Sequence, residues 1–581
     1  VGTSINNLLW LKADVGTSTT VDGNPVSSWM DQSGNGMNAT QIVANRQPKY
    51  VASGSNGRPS LLLNNLGDGI FDYLNLPSGF SNFASGMSAF VVIKPNSTIA
   101  WSNFFNLGGG IPSSNDAIAF SRDNNTANIW YQVVANGANS SMSRGSITNN
   151  FYQILAVRQN GGVPPALSTT RLYKNNSQLL PNTTVNVSRN ILRDDNYIGR
   201  DSWGAGDIDA DIAEVIIYNY LINNTQKNLI ANYLSSKYGI SIGVLTDRFS
   251  YEPLYGYDVA GIGRISAGDL HNNATSSGIL NVSNPNSLGD SDYLLFGHNN
   301  GSSASWVSTG APADILNLDY LRIGREWRID KTNDVGSITI TGDFSNLPAL
   351  TAGYTIRTLL VDSDGDFTSG AVAYPLADMG SNKYQVTNVT LNDGDYLTYA
   401  IYRINNEDPC TAQTLNVNVT CNFQVFSNEG ALNSAVADPG NCDGIGGSGY
   451  TGGDVWFKTV VPASGTIVIN TDTESSSPTN LEWAYRIGIA VYSGPCGGLT
   501  KINCQISPLS AVPPDNVNLS IAGRTPGETL YIRMWEWGNN DNGKFNICVY
   551  DPCLPPPVIT GSIPPSLIEG CGVGDTPPAV N

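Results

Sequence analysis

Three carboxylates, Asp209, Asp211 and Glu214, stand in a D-x-D-x-x-E pattern inside a strand-like run. Retaining hydrolysis of a glycosidic bond needs two carboxyl groups about 5–5.5 Å apart, one as the nucleophile and one as the acid/base. In a regular strand Asp209 and Asp211 share a face, whereas Glu214 points to the opposite face. Only a β-bulge would turn Glu214 to the face that carries Asp209 and Asp211. We therefore predict that these residues are not catalytic and that the chain is not an enzyme.

A second acidic pattern, Asp362, Asp364 and Asp366, lies in the segment DSDGDFTSG. The three carboxylates could converge on one calcium ion if the loop turns at Gly365. The segment is not an EF-hand, because Phe and Ala occupy the Gly and Glu positions of that motif. The alternative is an acidic hairpin turn, where Asp and Gly serve the turn geometry. Calcium is the one cofactor that the sequence suggests.

Tryptophan is the residue type most suited to stacking on a sugar ring, because its large apolar face carries one polar edge. The candidates are Trp101, Trp130 and Trp203. In a β-sandwich a tryptophan is more often part of the core. Both interpretations stay open for all three. The chain has only two histidines, so few residues could serve as the base of a Ser–His–Asp site.

The eight cysteines all lie after residue 409, at positions 410, 421, 442, 496, 504, 548, 553 and 571. Without a C-x-x-C pair, disulfides in an oxidising, extracellular setting are favoured over zinc. Cys496 and Cys504 flank a short loop between two strand-like runs, so their Cα atoms could approach the bridging range of about 4.4–6.8 Å. We predict that Cys496 pairs with Cys504 and that Cys410 pairs with Cys421. Cys571 either pairs with Cys553 or belongs to a following repeat.

The composition excludes some partners. Asp and Glu number 48 against 30 Lys and Arg, a net charge of −18, which would repel nucleic acid and anionic membranes. Charged residues make up 13% of the chain, against about 25% in ordinary soluble domains. Such a turn-rich, neutral-polar surface is typical of many short strands. No run of about 18 apolar residues is present, so no membrane insertion is predicted.

These side chains must be positioned by an all-β framework. The run from Ile212 to Tyr218 is β-branched and aromatic, as in a strand. Asn223 and Gln226 have the spacing of a capping box, and Gly239 can form a left-handed C-cap, so one short helix is predicted between them. We predict tandem β-sandwich and jelly-roll modules at 1–243, 244–404 and 405–553, with residues 554–581 as a Pro-rich linker and the start of a further β-repeat.

Two motifs bracket residues 1–243. The strand-to-helix sequence with DIAEVIIYN and YLSSKYGI, and the loop WMDQSGNGMNATQ at 29–41, resemble laminin-G/concanavalin-A-like lectin-type domains in surface proteins of Bacteroidota. Related glycoside hydrolases carry E-x-D-x-x-E on this strand, whereas Asp209 replaces the first Glu here. The resemblance implies Asp31 and Asn38 as further calcium-ligand candidates. Met37 and Ala213 depart from the pattern, and a structural turn is the alternative.

The later segments have resemblances of their own. DVAGIGR, SDYLLFGHNN and REWRID in residues 244–404 resemble an uncharacterised β-sandwich module that follows such lectin-like domains. Residues 405–553, with GGDVWFKTVV and GETLYIRMWEW, resemble a jelly roll related to bacterial pre-peptidase C-terminal domains. This resemblance implies architecture and no activity.

The order of the modules resembles the N-terminal part of the giant gliding-motility adhesins that Bacteroidota export by the type IX secretion system. It implies an extracellular protein of the outer cell surface, attached to glycans or surfaces, with residue 581 not the natural end. One alternative is the accessory glycan-binding part of a secreted polysaccharide-degrading enzyme. Another is a pure structural spacer.

Overall fold

The computed structural model describes residues 7–64, 70–204, 208–442, 447–473, 483–507 and 516–553. They form antiparallel β-sheets, with a few parallel strand pairs, and two α-helices, which confirms the predicted all-β class. None of the helices in the described residues is long and apolar enough to cross a membrane.

Residues 7–218 build two large sheets. Their strands are β1 (Asn7–Lys12), β2 (Ser28–Trp29), β3 (Ala39–Thr40), β4 (Lys49–Val51), β5 (Ser60–Leu63), β6 (Leu74–Leu76), β7 (Gly86–Pro95), β8 (Asn103–Gly109), β9 (Ile118–Arg122), β10 (Asn128–Ala135), β11 (Ala138–Gly145), β12 (Gln153–Asn160), β13 (Leu167–Lys174), β14 (Ser177–Asn186), β15 (Arg193–Ile198) and β16 (Ala210–Tyr218). Sheet 1 has the order β14-β13-β12-β7-β16-β5-β4, with β1 also on β16. Sheet 2 has the order β11-β10-β9-β8-β15-β6-β3-β2.

One apolar core includes residues of both sheets. Val91 and Leu155 of sheet 1 share a buried cluster with Phe120 and Tyr131 of sheet 2. Alternate residues of each strand are directed into this cluster, as the two-residue period of a strand requires. The intervening residues of sheet 2 therefore lie on its other face, which we call the outer face.

Helix α1 (Asn224–Tyr238) covers the other side of sheet 1, where Ile230 and Leu234 pack against Ile216. The predicted start is confirmed, because the Asn223 side chain accepts from the Gln226 backbone N–H in a capping box. The predicted end is confirmed by Gly239 in the left-handed conformation, at φ 62°. A four-residue helix α2 (Glu252–Tyr255) follows that the sequence did not indicate.

The next group of strands is shorter. It consists of β17 (Tyr257–Ser266), β18 (Asp269–His271), β19 (Asn273–Ser276), β20 (Leu280–Ser283), β21 (Tyr293–His298), β22 (Leu318–Arg322), β23 (Trp327–Thr332), β24 (Ile338–Asp343), β25 (Ile356–Asp362), β26 (Val372–Pro375), β27 (Ala377–Asp378), β28 (Lys383–Val389) and β29 (Tyr396–Ile404).

The last group contains β30 (Gln413–Thr414), β31 (Val417–Asn418), β32 (Gln424–Ser427), β33 (Val455–Val460), β34 (Ile467–Asp472), β35 (Ile487–Ser493), β36 (Thr500–Ile506), β37 (Asn518–Ile521), β38 (Thr529–Glu536) and β39 (Lys544–Tyr550). One sheet has the order β30-β33-β38-β35-β36. The other has the order β31-β39-β34-β37, with β32 also on β39. Phe457 and Ile532 of the first sheet share a core with Ile469 and Phe545 of the second.

The chain forms two compact units. The first contains Val1–Gly301, Arg325–Asp343 and Thr387–Asp395, and the second contains Ser302–Gly324, Phe344–Val386 and Tyr396–Asn581. Besides sheets 1 and 2, the first unit contains β18-β17-β21-β23 and β19-β20-β24, which belong to separate sheets. In the second unit, β22-β29-β25-β26 joins the last group of strands. The predicted module boundaries stay predictions, and the linker at 554–581 lies outside the described residues.

Candidate functional site

The outer face of sheet 2 carries polar and aromatic side chains on its central strands. Phe105 and Ile198 are paired across β8 and β15 and belong to the core, so their neighbours Asn106 and Tyr197 lie on the outer face. Asn106 also pairs with Ala119 of β9. Because paired residues share a face, the row of side chains that contains Tyr197, Asn106 and Ala119 continues across four or more strands on the outer face of sheet 2.

Trp101 and Trp130 meet on this face. Trp130 of β10 lies opposite Ser121 of β9, and its ring is 5.2 Å from that of Trp101 in an edge-to-face arrangement. Trp101 is 41% exposed and has a positive φ of 59°, an uncommon conformation for a bulky residue. Its carbonyl oxygen accepts a hydrogen bond from the Asn103 side chain at 2.7 Å. This contact helps to hold a large aromatic ring at the surface.

Two amide side chains beside this pair have unused hydrogen-bonding atoms. Asn106 is fully buried, yet neither its Oδ1 nor its Nδ2 has a partner. The Oδ1 of Asn103 is also without a partner. An unpaired buried polar group is costly, and an ordered water is its usual partner.

The third predicted tryptophan, Trp203, lies apart from the other two. It is 45% exposed and follows β15, with its backbone N–H donating to Asp201 at 3.0 Å. Its neighbour Ser202 lies against Gly108 of β8, where an added Cβ would be 2.6 Å from the Ser202 Cβ. The segment therefore approaches β8 closely, and a side chain at position 108 would displace it.

Sequence reasoning missed a second aromatic cluster on the outer face. The rings of Tyr73 and Tyr197 are 5.7 Å apart, edge to face. The Arg200 guanidinium lies 4.8 Å from the first ring and 5.1 Å from the second. Arg46 lies 5.7 Å from the Tyr73 ring. These residues come from separate segments of the chain, so no local spacing could have revealed them.

The acidic pattern of β16 has a different geometry from the one predicted. The register against β7 shifts between Ile212 and Glu214, so a β-bulge is present. Asp211 pairs with Lys94 and Glu214 pairs with Val92, and residues two apart on β7 share a face. The prediction that Glu214 points away from Asp211 is therefore wrong, because the bulge turns it to the same face.

Each of these carboxylates has its own partners. Asp211 forms an ion pair with Lys94 at 2.6 Å. Glu214 is 1% exposed and accepts from four side chains: Trp10 Nε1 at 2.6 Å, Tyr238 OH at 2.8 Å, Tyr233 OH at 2.9 Å and Lys237 Nζ at 2.9 Å. Asp209 accepts from Asn96 at 3.4 Å. With Glu214 enclosed, a substrate has no access to the pair, and the cluster joins α1 to sheet 1.

Electrostatics around Glu214 keep the cluster charged. Burial alone would lower the pKa of Lys237, but the carboxylates of Glu214 and Asp14 outweigh it and raise that pKa. Burial and the Glu214 charge raise the pKa values of Tyr233 and Tyr238 well above the ordinary value. Both hydroxyls therefore stay protonated and act as donors.

A pocket of about 660 Å³ lies beside the cluster, lined by Trp10, Tyr233 and Asp258 among others. Its polar groups are largely engaged inside the protein. The Trp10 and Tyr233 donors are directed at Glu214, and Asp258 lies 3.3 Å from the Nε2 of His298. The exposed Trp101 and its contact with Trp130 make the outer face of sheet 2 the candidate site.

The Asp362–Asp366 loop is a series of turns. Asp362 accepts from the backbone N–H groups of Asp364 and Gly365, at 2.9 and 2.5 Å. Asp364 accepts from the Asp366 N–H at 2.8 Å, and Asp366 accepts from Thr368. Among the described residues no group of three or more His, Cys, Asp or Glu side chains is placed to hold a metal ion. Calcium at this loop stays a prediction.

Asp31 organises its own loop. Its Oδ1 accepts from the backbone N–H groups of Trp10 and Ser33, each at 2.9 Å, and its Oδ2 accepts from that of Met37 at 3.0 Å. Asn38 accepts from the Asp31 N–H at 2.9 Å. These contacts fit the alternative of a structural turn, and calcium at Asp31 and Asn38 stays a prediction.

The cysteines form disulfides, but both predicted pairings are wrong. The observed pairs are Cys410–Cys496, Cys421–Cys548 and Cys442–Cys504. Cys496 lies in the turn after β35, whereas Cys504 lies well inside β36 opposite Ala490, out of its reach. Cys410 and Cys421 differ in the sheets they adjoin, since β30 pairs with β33 and β31 pairs with β39. Cys553 is also disulfide-bonded, and Cys571 lies outside the described residues.

Comparisons with known proteins give one family match. The model of a domain of unknown function, DUF8202, matches residues 226–395, a range that begins inside α1. No curated protein matches the chain.

Solved structures resemble the chain only distantly. Domain 4 of AbnA, an extracellular arabinanase from Geobacillus stearothermophilus solved with arabinotriose, is 16% identical, with 38% of this chain and 96% of that chain covered and a TM-score of 0.28. The binding domain of Paraclostridial Mosquitocidal Protein 1 is 11% identical over 67% and 96%, with a TM-score of 0.31. A Ruminococcus gnavus sialidase module bound to sialyllactose is 11% identical over 25% and 80%, with a TM-score of 0.21. These scores carry no argument about function.

Proposed function

We propose that the chain is a non-catalytic, extracellular glycan-binding segment and that the outer face of sheet 2 is its binding surface. The observation that carries the proposal is the exposed Trp101, whose ring is held against that of Trp130 on this face. Small-ligand sites typically combine apolar and aromatic surface with a few polar groups that fix orientation.

Sugars match this combination. A pyranose ring has an apolar face that can lie on an indole and a rim of hydroxyls that both donate and accept. An asparagine amide also offers both a donor and an acceptor. The amides of Asn106 and Asn103 lie buried beneath this aromatic surface, so they can support it but do not contact a sugar directly.

The setting is proposed from the sequence and the disulfides together. Three disulfides support an oxidising compartment. The module order resembles that of Bacteroidota gliding-motility adhesins, so we propose attachment to surfaces or glycans after export by the type IX secretion system. The alternatives are an accessory part of a secreted polysaccharide-degrading enzyme and a pure spacer.

A glycan array probed with the full chain tests the binding proposal. We expect some oligosaccharides to bind and Trp101→Ala and Trp130→Ala each to weaken binding about two- to tenfold, since one aromatic contact contributes about 0.5–1.5 kcal/mol. Trp537→Ala is the matched control, because Trp537 is 42% exposed but belongs to the second unit. Equal losses in all three variants, or no binding by the wild type, would refute this site.

Calcium at the Asp362–Asp366 loop is a separate proposal. Three carboxylates stand at alternate positions of this loop, and a bound cation would offset their repulsion. Millimolar calcium should then raise the melting temperature through its binding to the folded state. Asp364→Asn should abolish the increase. Identical melting curves in calcium and in chelator would leave the loop as a turn alone.

A further inference from the structure

We propose that the glycan bound on the outer face of sheet 2 carries a carboxylate, held by Arg200 with support from Arg46. This inference rests on the proposed function and names the ligand class of the same surface. It starts from the cluster of Tyr73, Tyr197 and the two arginines.

The two guanidinium groups lack ordinary partners. Among the described residues neither Arg46 nor Arg200 has a carboxylate within 4.0 Å, and no side-chain hydrogen bond is formed by either. Two other arginines of the first unit do have a carboxylate partner: Arg189 pairs with Asp116 at 3.1 Å and Arg264 pairs with Asp290 at 2.8 Å. In a chain with a net charge of −18, two unpaired cations in one cluster need an explanation.

The tyrosines orient these cations. The Arg200 guanidinium lies near both rings, and a cation–π contact does not use its N–H groups as hydrogen-bond donors to oxygen. A fixed guanidinium edge binds a carboxylate through two parallel hydrogen bonds. Burial and the hydrogen bond to Asp195 raise the pKa of Tyr197 to about 12, so the ring stays neutral. The cluster therefore presents a positive edge and no phenolate.

A carboxylate on the same face is already engaged. Asp195 shares the outer face with Tyr197 and accepts from the Tyr197 hydroxyl with Oδ1. Its Oδ2 accepts from the Ser113 hydroxyl at 2.6 Å. Its charge opposes an anion, but both oxygens are satisfied, and neither arginine is held by it.

The cluster and the tryptophan pair can be reached by one oligosaccharide. Tyr197 lies on β15 and Trp130 on β10, with β8 and β9 between them. Three strand spacings of about 4.8 Å make a lateral separation of roughly 14 Å. Asn106 lies between the two on the same face. A chain of a few sugars is therefore long enough to extend from the Trp101 ring to Arg200.

The test uses the full chain on an array of matched oligosaccharides, with uronic or sialic acids, their methyl esters, and neutral counterparts. We expect the acids to bind about tenfold more tightly than their esters, with the preference decreasing as salt is added. Arg200→Gln should remove the preference but keep the weaker binding to neutral sugars. Arg58→Gln is the matched control, since Arg58 stacks on Tyr257 at 3.7 Å, away from this face.

The outcomes separate this inference from the proposed function. Equal binding of acids and esters, with Trp101 still required, would overturn the carboxylate inference alone. No binding to any sugar would overturn both. Arg200→Lys retains the charge without the two-bond geometry, so partial recovery of the preference supports direct contact. A fall in melting temperature for Arg200→Gln with the acid preference intact would mean that Arg200 is only structural.

Discussion

Glu214 shows how one residue can have the pattern of a catalytic group and the environment of a structural one. Its four donors come from β1 and α1, and the Trp10 and Tyr233 rings that carry two of them are in contact, 6.3 Å apart. A buried carboxylate is tolerated only when it is paired and hydrogen-bonded. The residue therefore serves to position α1 on sheet 1.

Replacing Glu214 by Leu should lower the free energy of unfolding by about 3 kcal/mol, because Lys237 would keep only Asp14 as a charged partner. Urea-induced unfolding measures this. The double variant with Lys237→Met should recover much of the loss. Asp211→Asn is the control on the same strand and should cost at most about 1 kcal/mol, since Lys94 is partly exposed.

The direction in which the free energy of unfolding changes with pH follows from the pKa of Lys237. Its folded-state pKa is raised, so its stabilising contribution is complete below the unfolded value of about 10.4 and is lost as pH rises through the folded value. The decrease in the free energy of unfolding caused by Glu214→Leu should therefore be the same at pH 6 and pH 8. A loss confined to one of these values would contradict the ion-pair explanation.

At the scale of elements, the disulfides depend on which strands become neighbours. Cys442–Cys504 joins the segment before β33 to β36, and Cys421–Cys548 joins the segment after β31 to β39. The sequence indicated strand-like runs on both sides of the loop between Cys496 and Cys504. It did not indicate that β31 runs parallel to β39, because a parallel pairing leaves no local signal.

Peptide mapping without reduction should recover Cys410–Cys496, Cys421–Cys548 and Cys442–Cys504. The paired change Cys421→Ala with Cys548→Ala should lower the free energy of unfolding by about 2–4 kcal/mol, since it removes a long closed loop from the unfolded state. A peptide linking Cys496 to Cys504 would contradict the observed pairing.

For the whole molecule, the sequence predicted the elements better than the site. The all-β class and both caps of α1 are confirmed, because periodicity and capping are local. Trp101 and Trp130 were among its candidates, but their contact depends on β9 and β10 pairing. The bulge before Glu214 has no signature in residue type. Arg200 was missed because its surroundings come from distant segments.

The Cys421–Cys548 bond has a consequence for a chain that is pulled. A protein that holds a cell to a surface bears tension along its backbone. The two cysteines are separated by 127 positions, so a load transmitted through the bond bypasses every strand from β32 to β38. Fully extended, that segment would lengthen the chain by on the order of 430 Å. While the bond is intact, this length cannot be drawn out, and the load falls on the strands outside it.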